Sequence, residues 1–350
     1  MNGNATSPRT SVFDKTSPDG LDRHQLITLA TNAYAGRTTS MPGPGHSREV
    51  ERAWDEFRRL IQRLLKNDTS FVRESMKELT DSLTQVQWSG FYDHSSDTYG
   101  FSRRSFASLA AHLTLATMAS AQLSFRPIVV IGGGAATGKT FLLKLLSSHF
   151  GCNGSPISYS RKTSIRKFIE SSPPLATCFM FDEIDADRDL ESTLDAVIPY
   201  AFGGRFYFSG ADGEQVTGNP DSRKIVPWIA TNRELAPKTG NLRERCVTLP
   251  IGNSVVRGES AGLATNSDAV IRGIRLLAVA TYYAGEADRI AKRLYELCEH
   301  RECSRRVIQL YSIPIGFQVA IEGGDVGSAG EWLDVLQSHL DARANQDKRR

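Results

Sequence analysis

Apolar residues recur along the chain with two different rhythms. Val50, Trp54, Phe57, Leu60, Ile61 and Leu64 stand at helical spacing in a mixed acidic and basic background, and Phe71, Met76, Leu79, Leu83 and Val86 predict a second helix. From Ser105 to Phe125 there is no Asp, Glu, Lys or Arg, yet Ser, Thr, His and Gln make the stretch too polar for a bilayer span; it reads as a buried helix. From Arg126 onward the pattern changes. Short apolar runs at Pro127–Ile131, Ala176–Phe181, Ile225–Ala230 and Val247–Ile251 alternate with helical patterns, the rhythm of buried parallel strands in an α/β domain. After a Gly- and Ser-rich stretch at 252–267, Val270, Ile274 and Leu277, then Ile290, Leu294 and Leu297, return to spacings of three and four and predict a helical lid.

Composition adds the ends and the compartment. Residues 1–45 are rich in Ser, Thr, Pro, Gly and Asn and close on Met41-Pro-Gly-Pro-Gly45, too little apolar surface to offset chain entropy, so a flexible arm is expected. The expected division is an arm at 1–45, a helical region at 46–124, an α/β core at 125–252 and the lid at 253–350. With 350 residues, the chain is longer than one core usually serves. A net charge of +3 excludes a histone-like character but not a local basic channel, because steering depends on where charge sits. The five cysteines form no Cys-x-x-Cys and have no histidine at ligand spacing, which argues against a zinc site or a disulfide framework. No apolar secretory segment opens the chain. A soluble, intracellular, cytoplasmic protein without membrane insertion is the expectation.

Ile128-Val-Val-Ile131 leads into Gly132-Gly-Gly-Ala-Ala-Thr-Gly-Lys-Thr140, which holds G-x-x-x-x-G-K-T at Gly133, Gly134, Ala135, Ala136, Thr137, Gly138, Lys139 and Thr140. A strand precedes it and Phe141-Leu-Leu-Lys-Leu-Leu146 predicts a helix after it, the context this motif needs. Glycines let successive backbone N–H groups converge on phosphate oxygens, and the helix N-terminus adds partial positive charge. Lys139 would neutralise the β and γ phosphates of ATP, and the Thr140 hydroxyl would ligate Mg²⁺.

The run Ala176–Phe181 ends in Asp182-Glu183-Ile184-Asp185, placing carboxylates at the carboxyl end of a strand, where open α/β sheets bind ligand. Asp182 would hold the Mg²⁺ shell and Glu183 would polarise an attacking water as general base. An acidic cluster in this position also serves as a solvated turn or helix start. Its combination with the glycine-rich motif favours chemistry.

At this point the sequence resembles the AAA+ superfamily of P-loop ATPases, which includes the superfamily 3 helicases, over about 126–252. Ile225–Leu235 is similar to the sensor-1 strand, with Asn232 matching the polar residue that positions water near the γ-phosphate. Asn241–Ile251 is similar to the short helix and final strand that carry the arginine finger; Arg245 is the first choice and Arg243 the second, although Glu244 stands where clamp loaders have Ser. Either is also explicable as an exposed residue in a weak ion pair. Arg305 or Arg306 in the lid would be the sensor-2 arginine, or part of a solvated helix face.

The resemblance implies a P-loop NTPase core with a parallel sheet flanked by helices. It also implies ATP sites between subunits and hence a homo-oligomeric, hexameric ring whose pore meets the substrate. Ile157–Thr163, expected as a loop after the second strand, supplies Tyr159, Arg161 and Lys162, and Phe202–Gly213 reads as a β-hairpin carrying Arg205, Phe206 and Tyr207. These would suit phosphate contact and base stacking on single-stranded nucleic acid. Superfamily 3 hairpins usually carry a Lys, and here the nearest is Lys224. Strand packing would account for the aromatic run equally well. Two readings follow: a nucleic-acid motor or helicase, and a protein remodeller gripping a polypeptide with Tyr159 and Phe206. A non-hydrolysing switch or small-molecule kinase fits the glycine-rich motif alone, but Asp182-Glu183, Asn232 and Arg245 together argue against it.

Overall fold

The computed structural model describes residues 46–86, 88, 105–149, 157–158, 165, 169, 178–184, 187–202, 206–209, 215–218, 224–232, 246–251, 266–297 and 305–327. Among these residues three helices come first: α1 (His46–Leu65), α2 (Ser70–Thr84) and α3 (Ser105–Met118). Next are β1 (Ile128–Gly132), α4 (Lys139–His149), β2 (Ile157–Ser158), β3 (Cys178–Ile184) and α5 (Asp187–Phe202). β4 (Phe206–Ser209), β5 (Gln215–Gly218), β6 (Val226–Thr231), β7 (Cys246–Pro250), α6 (Asn266–Leu297) and α7 (Arg305–Glu322) complete the order. The expected arm at 1–45 lies outside the described residues.

Five strands form one parallel sheet in the order β2-β3-β6-β1-β7, flanked by helices, so the protein has α/β character. Successive residues in a strand face opposite sides, and the sheet uses both. Val129 and Ile131 of β1, Val226, Trp228 and Ala230 of β6, and Val247 and Leu249 of β7 join one core. Ile128, Val130, Ile225 and Ile229 join a second core with Leu190, Leu194, Val197 and Tyr200 of α5. This two-sided burial is why the strands read as continuous apolar runs rather than as alternating ones.

The first core is the larger and joins helices from before and after the sheet. Phe57, Leu60, Ile61 and Leu64 of α1 share it with Leu79 and Leu83 of α2, Ile274 and Leu294 of α6, and Ile308 and Phe317 of α7. The two apolar groups predicted after 267 belong to one 32-residue helix, α6, about 48 Å long at the α-helical rise. It packs against α1, α2, α3, α4 and α7. Residues expected as a helical region and as a lid therefore lie side by side on one face of the sheet.

α3 is buried nearly all round, as its uncharged sequence requires. Its polar groups are satisfied internally: Thr114 Oγ1 donates to Ala110 O and Thr117 Oγ1 to Leu113 O, each at 2.8 Å. Trp228 Nε1 in turn donates to Thr117 Oγ1 at 2.9 Å, tying β6 to α3. Just ahead of β1, the buried Asp288 carboxylate of α6 accepts from Ser124 N (2.7 Å) and Ser124 Oγ (2.9 Å). Arg126 Nε donates to Ala201 O of α5 at 2.9 Å. The entry to β1 is thus held from both helical layers.

β4 and β5 pair antiparallel, with Phe206 opposite Gly218 and Ser209 opposite Gln215, the hairpin expected ahead of β6. Among the described residues, no helix is long and apolar enough to cross a membrane.

Candidate functional site

β1, β6 and β3 are adjacent and parallel, so their carboxyl ends meet along one edge of the sheet. Register makes this concrete: Gly132 of β1 lies opposite Thr231 of β6, and Thr231 lies opposite Ile184 of β3. The glycine-rich loop, Asn232 and the Asp182-Glu183 pair therefore occupy the same edge. Strand order does this, because β6 comes late in the chain yet inserts between β1 and β3. Parallel order also leaves the crevice beyond these ends as the natural place for a ligand.

The loop leaves β1 at Gly132 and feeds α4 directly at Lys139, two residues before the apolar run that predicted the helix. Gly133 is required by crowding: a Cβ there would stand 2.8 Å from Thr137 Oγ1 and 2.9 Å from the carbonyl oxygen of Ile251. Gly138 is required by conformation, with φ +97° in the left-handed region and open space around it. Ala136 holds φ +58° although it has a side chain, a locally strained backbone in an exposed stretch with Ala135. Gly134 is partly buried.

Lys139 is a buried cation. Its Nζ donates to Gly133 O at 2.9 Å and Gly134 O at 2.5 Å, and lies 3.4 Å from Thr137 Oγ1. Thr137 Oγ1 donates to Gly134 O at 3.0 Å. The ammonium is thereby oriented by backbone oxygens of the loop it serves, and buried charge of this kind is tolerated only when so solvated.

Thr140 Oγ1 donates to Asp182 Oδ2 at 2.7 Å. This contact joins the first turn of α4 to β3, and Asp182 is buried at 4% exposure. Two hard oxygen donors placed side by side are the donor set that Mg²⁺ takes, so the residues fit such an ion. β3 does not stop at Phe181 as its apolar run suggested; it continues through Asp182 and Glu183 to Ile184 because β2 and β6 keep it paired. Between Phe181 and Ile184 it gains one residue on β6, a bulge centred on the acidic pair. Bulges of this kind re-aim side chains at strand ends.

Asn232 follows β6 directly and is exposed at the shared edge. Arg243 and Arg245 lie outside the described residues, but Cys246, the residue after Arg245, opens β7 opposite Ile128. That is the amino end of β1, about 13 Å along the strand from Gly132. Of the expected substrate contacts, Tyr159, Arg161, Lys162 and Arg205 lie outside the described residues, Phe206 opens β4, and Tyr207 follows it there. Ile157 and Ser158, expected as loop, form the short edge strand β2, since Ile157 and Ser158 pair with Phe181 and Asp182. Arg305 and Arg306 open α7.

One residue that the motif did not indicate meets the start of the loop, and a second pairs with it. Ile251 N donates to Gly132 O at 2.8 Å, and Trp88, beyond α2, forms an isolated antiparallel bridge with Ile251. Ile251 had counted only as the end of an apolar run, and a lone Trp in Gln87-Trp-Ser-Gly90 carries no local signal. At the far end of α4, His149 is buried with both ring nitrogens unpartnered; burial first, and the charge of Arg272 second, depress it to about 4.

Comparison with models of known protein families gives no match, and no curated protein sequence matches the chain.

Proposed function

We propose that the chain is a Mg²⁺-dependent ATPase with a P-loop NTPase core of the AAA+ type, working as a ring and acting on nucleic acid in a helicase-like manner. The observation that carries this reading is the 2.7 Å contact between Thr140 and Asp182, with the buried Lys139 beside it. A chance glycine-rich turn has no reason to bring a buried carboxylate of another strand to the hydroxyl that follows its lysine.

The roles follow from placement. Loop N–H groups and the amino end of α4 receive the phosphates, and Lys139 exchanges its loop carbonyls for β and γ oxygens. Thr140 and Asp182 would hold Mg²⁺, which would supply positive charge against the phosphate oxygens. Glu183 takes the proton of the attacking water, and Asn232, one strand away, orients that water. Arg245, or Arg243 in its place, both outside the described residues, is the proposed finger on the nucleotide of a neighbouring subunit; Cys246, the residue after Arg245, opens β7 at the amino end of β1, away from the loop, which favours that reading. The resemblance to AAA+ ATPases, and not the fold itself, carries the ring with sites between subunits, and a hexamer is the form proposed. The β4–β5 hairpin and the residues after β2 are the proposed contacts to a single strand.

Steady-state ATP hydrolysis by wild type and Glu183→Gln, with and without single-stranded DNA or RNA at two salt concentrations, tests this. Salt-sensitive stimulation of the wild type, absent in the variant, is expected, since phosphate contacts release counterions. Hydrolysis that ignores nucleic acid would move the substrate to a polypeptide, and no hydrolysis at all would remove the enzyme.

A further inference from the structure

The first peptide of the glycine-rich loop is held from outside the loop. β7 ends at Pro250, yet the pairing with β1 continues one residue further, where Ile251 N donates to Gly132 O at 2.8 Å. The Ile251 carbonyl oxygen presses on the next residue, lying 2.9 Å from where a Cβ on Gly133 would be. Gly133 O is one of the two carbonyls that orient Lys139. Any displacement of Ile251 therefore moves both the peptide that opens the loop and an acceptor of its lysine.

Ile251 lies past the end of its strand, and Trp88 is what it pairs with on the far side. Trp88 is itself buried and fixed at two points. Its Nε1 donates to Leu83 O in the last turn of α2 at 3.0 Å, its ring stacks on Phe106 at the start of α3 (5.9 Å, 26°), and it is 4% exposed. The side chain, anchored in two helices, thus fixes a main-chain segment that meets the loop through one intermediate residue, Ile251.

We propose that Trp88 is a positioning residue for nucleotide binding, acting through Ile251 on the Gly132–Gly133 peptide; this rests on the reading of the loop as a phosphate site. Residues well before the motif then set how tightly it holds phosphate. Trp88→Ala is expected to weaken Mg-ATP binding roughly tenfold, the upper part of the range for residues that act on a site indirectly, with turnover at saturation changed less than about twofold. Trp88→Phe keeps the stack on Phe106 and restores the affinity.

Radiolabelled ATP in equilibrium dialysis, together with tryptophan emission, makes the test. In the wild type, emission changes on Mg-ATP addition, and in Trp88→Phe the change is lost while the nucleotide still binds; the other three tryptophans, Trp54, Trp228 and Trp332, are present in both proteins. If the wild type fails to bind Mg-ATP, the phosphate-site reading itself falls. If the wild type binds and Trp88→Ala binds equally well, the positioning role alone is overturned. Should Trp88→Ala not fold, a nucleotide-dependent change that persists in Trp88→Phe overturns it as well.

Discussion

Gly133 in the loop and Gly316 in α7 are both glycine because a backbone carbonyl occupies the place where a side chain would begin. At Gly133 the carbonyl belongs to Ile251, and at Gly316 it belongs to Ala287 of α6, well inside contact distance. The second contact lets two long helices approach closely at Ala287 and adds to a buried core. The first instead fixes the peptide that opens the glycine-rich loop, whose next carbonyl orients Lys139. One steric requirement thus serves stability in the helical body and placement in the loop, and experiments that separate folding from binding tell the two apart.

The largest separation is expected at Lys139. Its ammonium is buried on two loop carbonyls, so Lys139→Ala removes the cation and leaves the frame. Mg-ATP affinity should fall by at least about 300-fold, as when one member of a buried charge pair is truncated. Stability in urea should change by only about 1 kcal/mol. Retained affinity in dialysis would remove Lys139 from the phosphate role.

Next come the two glycines themselves. Gly316→Ala must push α7 off α6 and should cost about 3 kcal/mol in a denaturant titration, while the folded fraction binds Mg-ATP normally. Gly133→Ala meets Thr137 Oγ1, which can rotate, and the Ile251 carbonyl, which cannot. A loss of about 1 kcal/mol in stability with a tenfold loss in affinity is expected. Equal behaviour of the two variants would erase the distinction between the regions.

A pH titration sharpens the comparison along α4, which links loop and body. His149 and His112 both sit near 4, below the ordinary 6.5, because burial disfavours their charged forms. Between pH 6.5 and 4 the unfolded chain binds protons that the folded chain refuses, so stability falls as pH drops through that window and is full above it. About 3 kcal/mol per histidine is at stake. The two differ in that His112 Nδ1 lies 2.7 Å from Ser108 O, whereas neither ring nitrogen of His149 has a partner. His149→Leu should therefore flatten the pH dependence and also raise stability at pH 7 by about 1 kcal/mol, read from melts at several pH values.

These regions were also unequally legible in the sequence. Gly133 to Thr140 was readable because a few consecutive residues dictate the loop's backbone, and Asp182 because an uncharged run stops at it. The α/β character followed from apolar runs whose two faces are both covered. The bulge at Asp182 was not readable, since it depends on how β3 registers against β6 across the sheet. Nor was the burial of α1 and α6 in one core, because amphipathic periodicity says that a helix has a buried face but not which other helix covers it. Trp88 fails on the same ground: its partner Ile251 is far away in sequence and its pairing is with backbone.

The smallest effects on binding are expected where crowding is absent and only conformation is at issue. Nothing lies within 4 Å of a Cβ on Gly138, so Gly138→Ala pays for φ +97° alone, about 1 to 2 kcal/mol. Ala136 already sits at φ +58°, and Ala136→Gly should do the reverse. Relief of the left-handed backbone outweighs the added freedom of the unfolded chain by about 0.5 kcal/mol, a shift measurable in urea only as a difference between paired titrations. Mg-ATP affinity should drop about twofold in the same variant, because a looser loop must be ordered on binding. Opposite signs for stability at 136 and 138 would mark the strain in this loop as backbone strain. A destabilised Ala136→Gly would mean that the side chain of Ala136, and not its φ, is what the loop depends on.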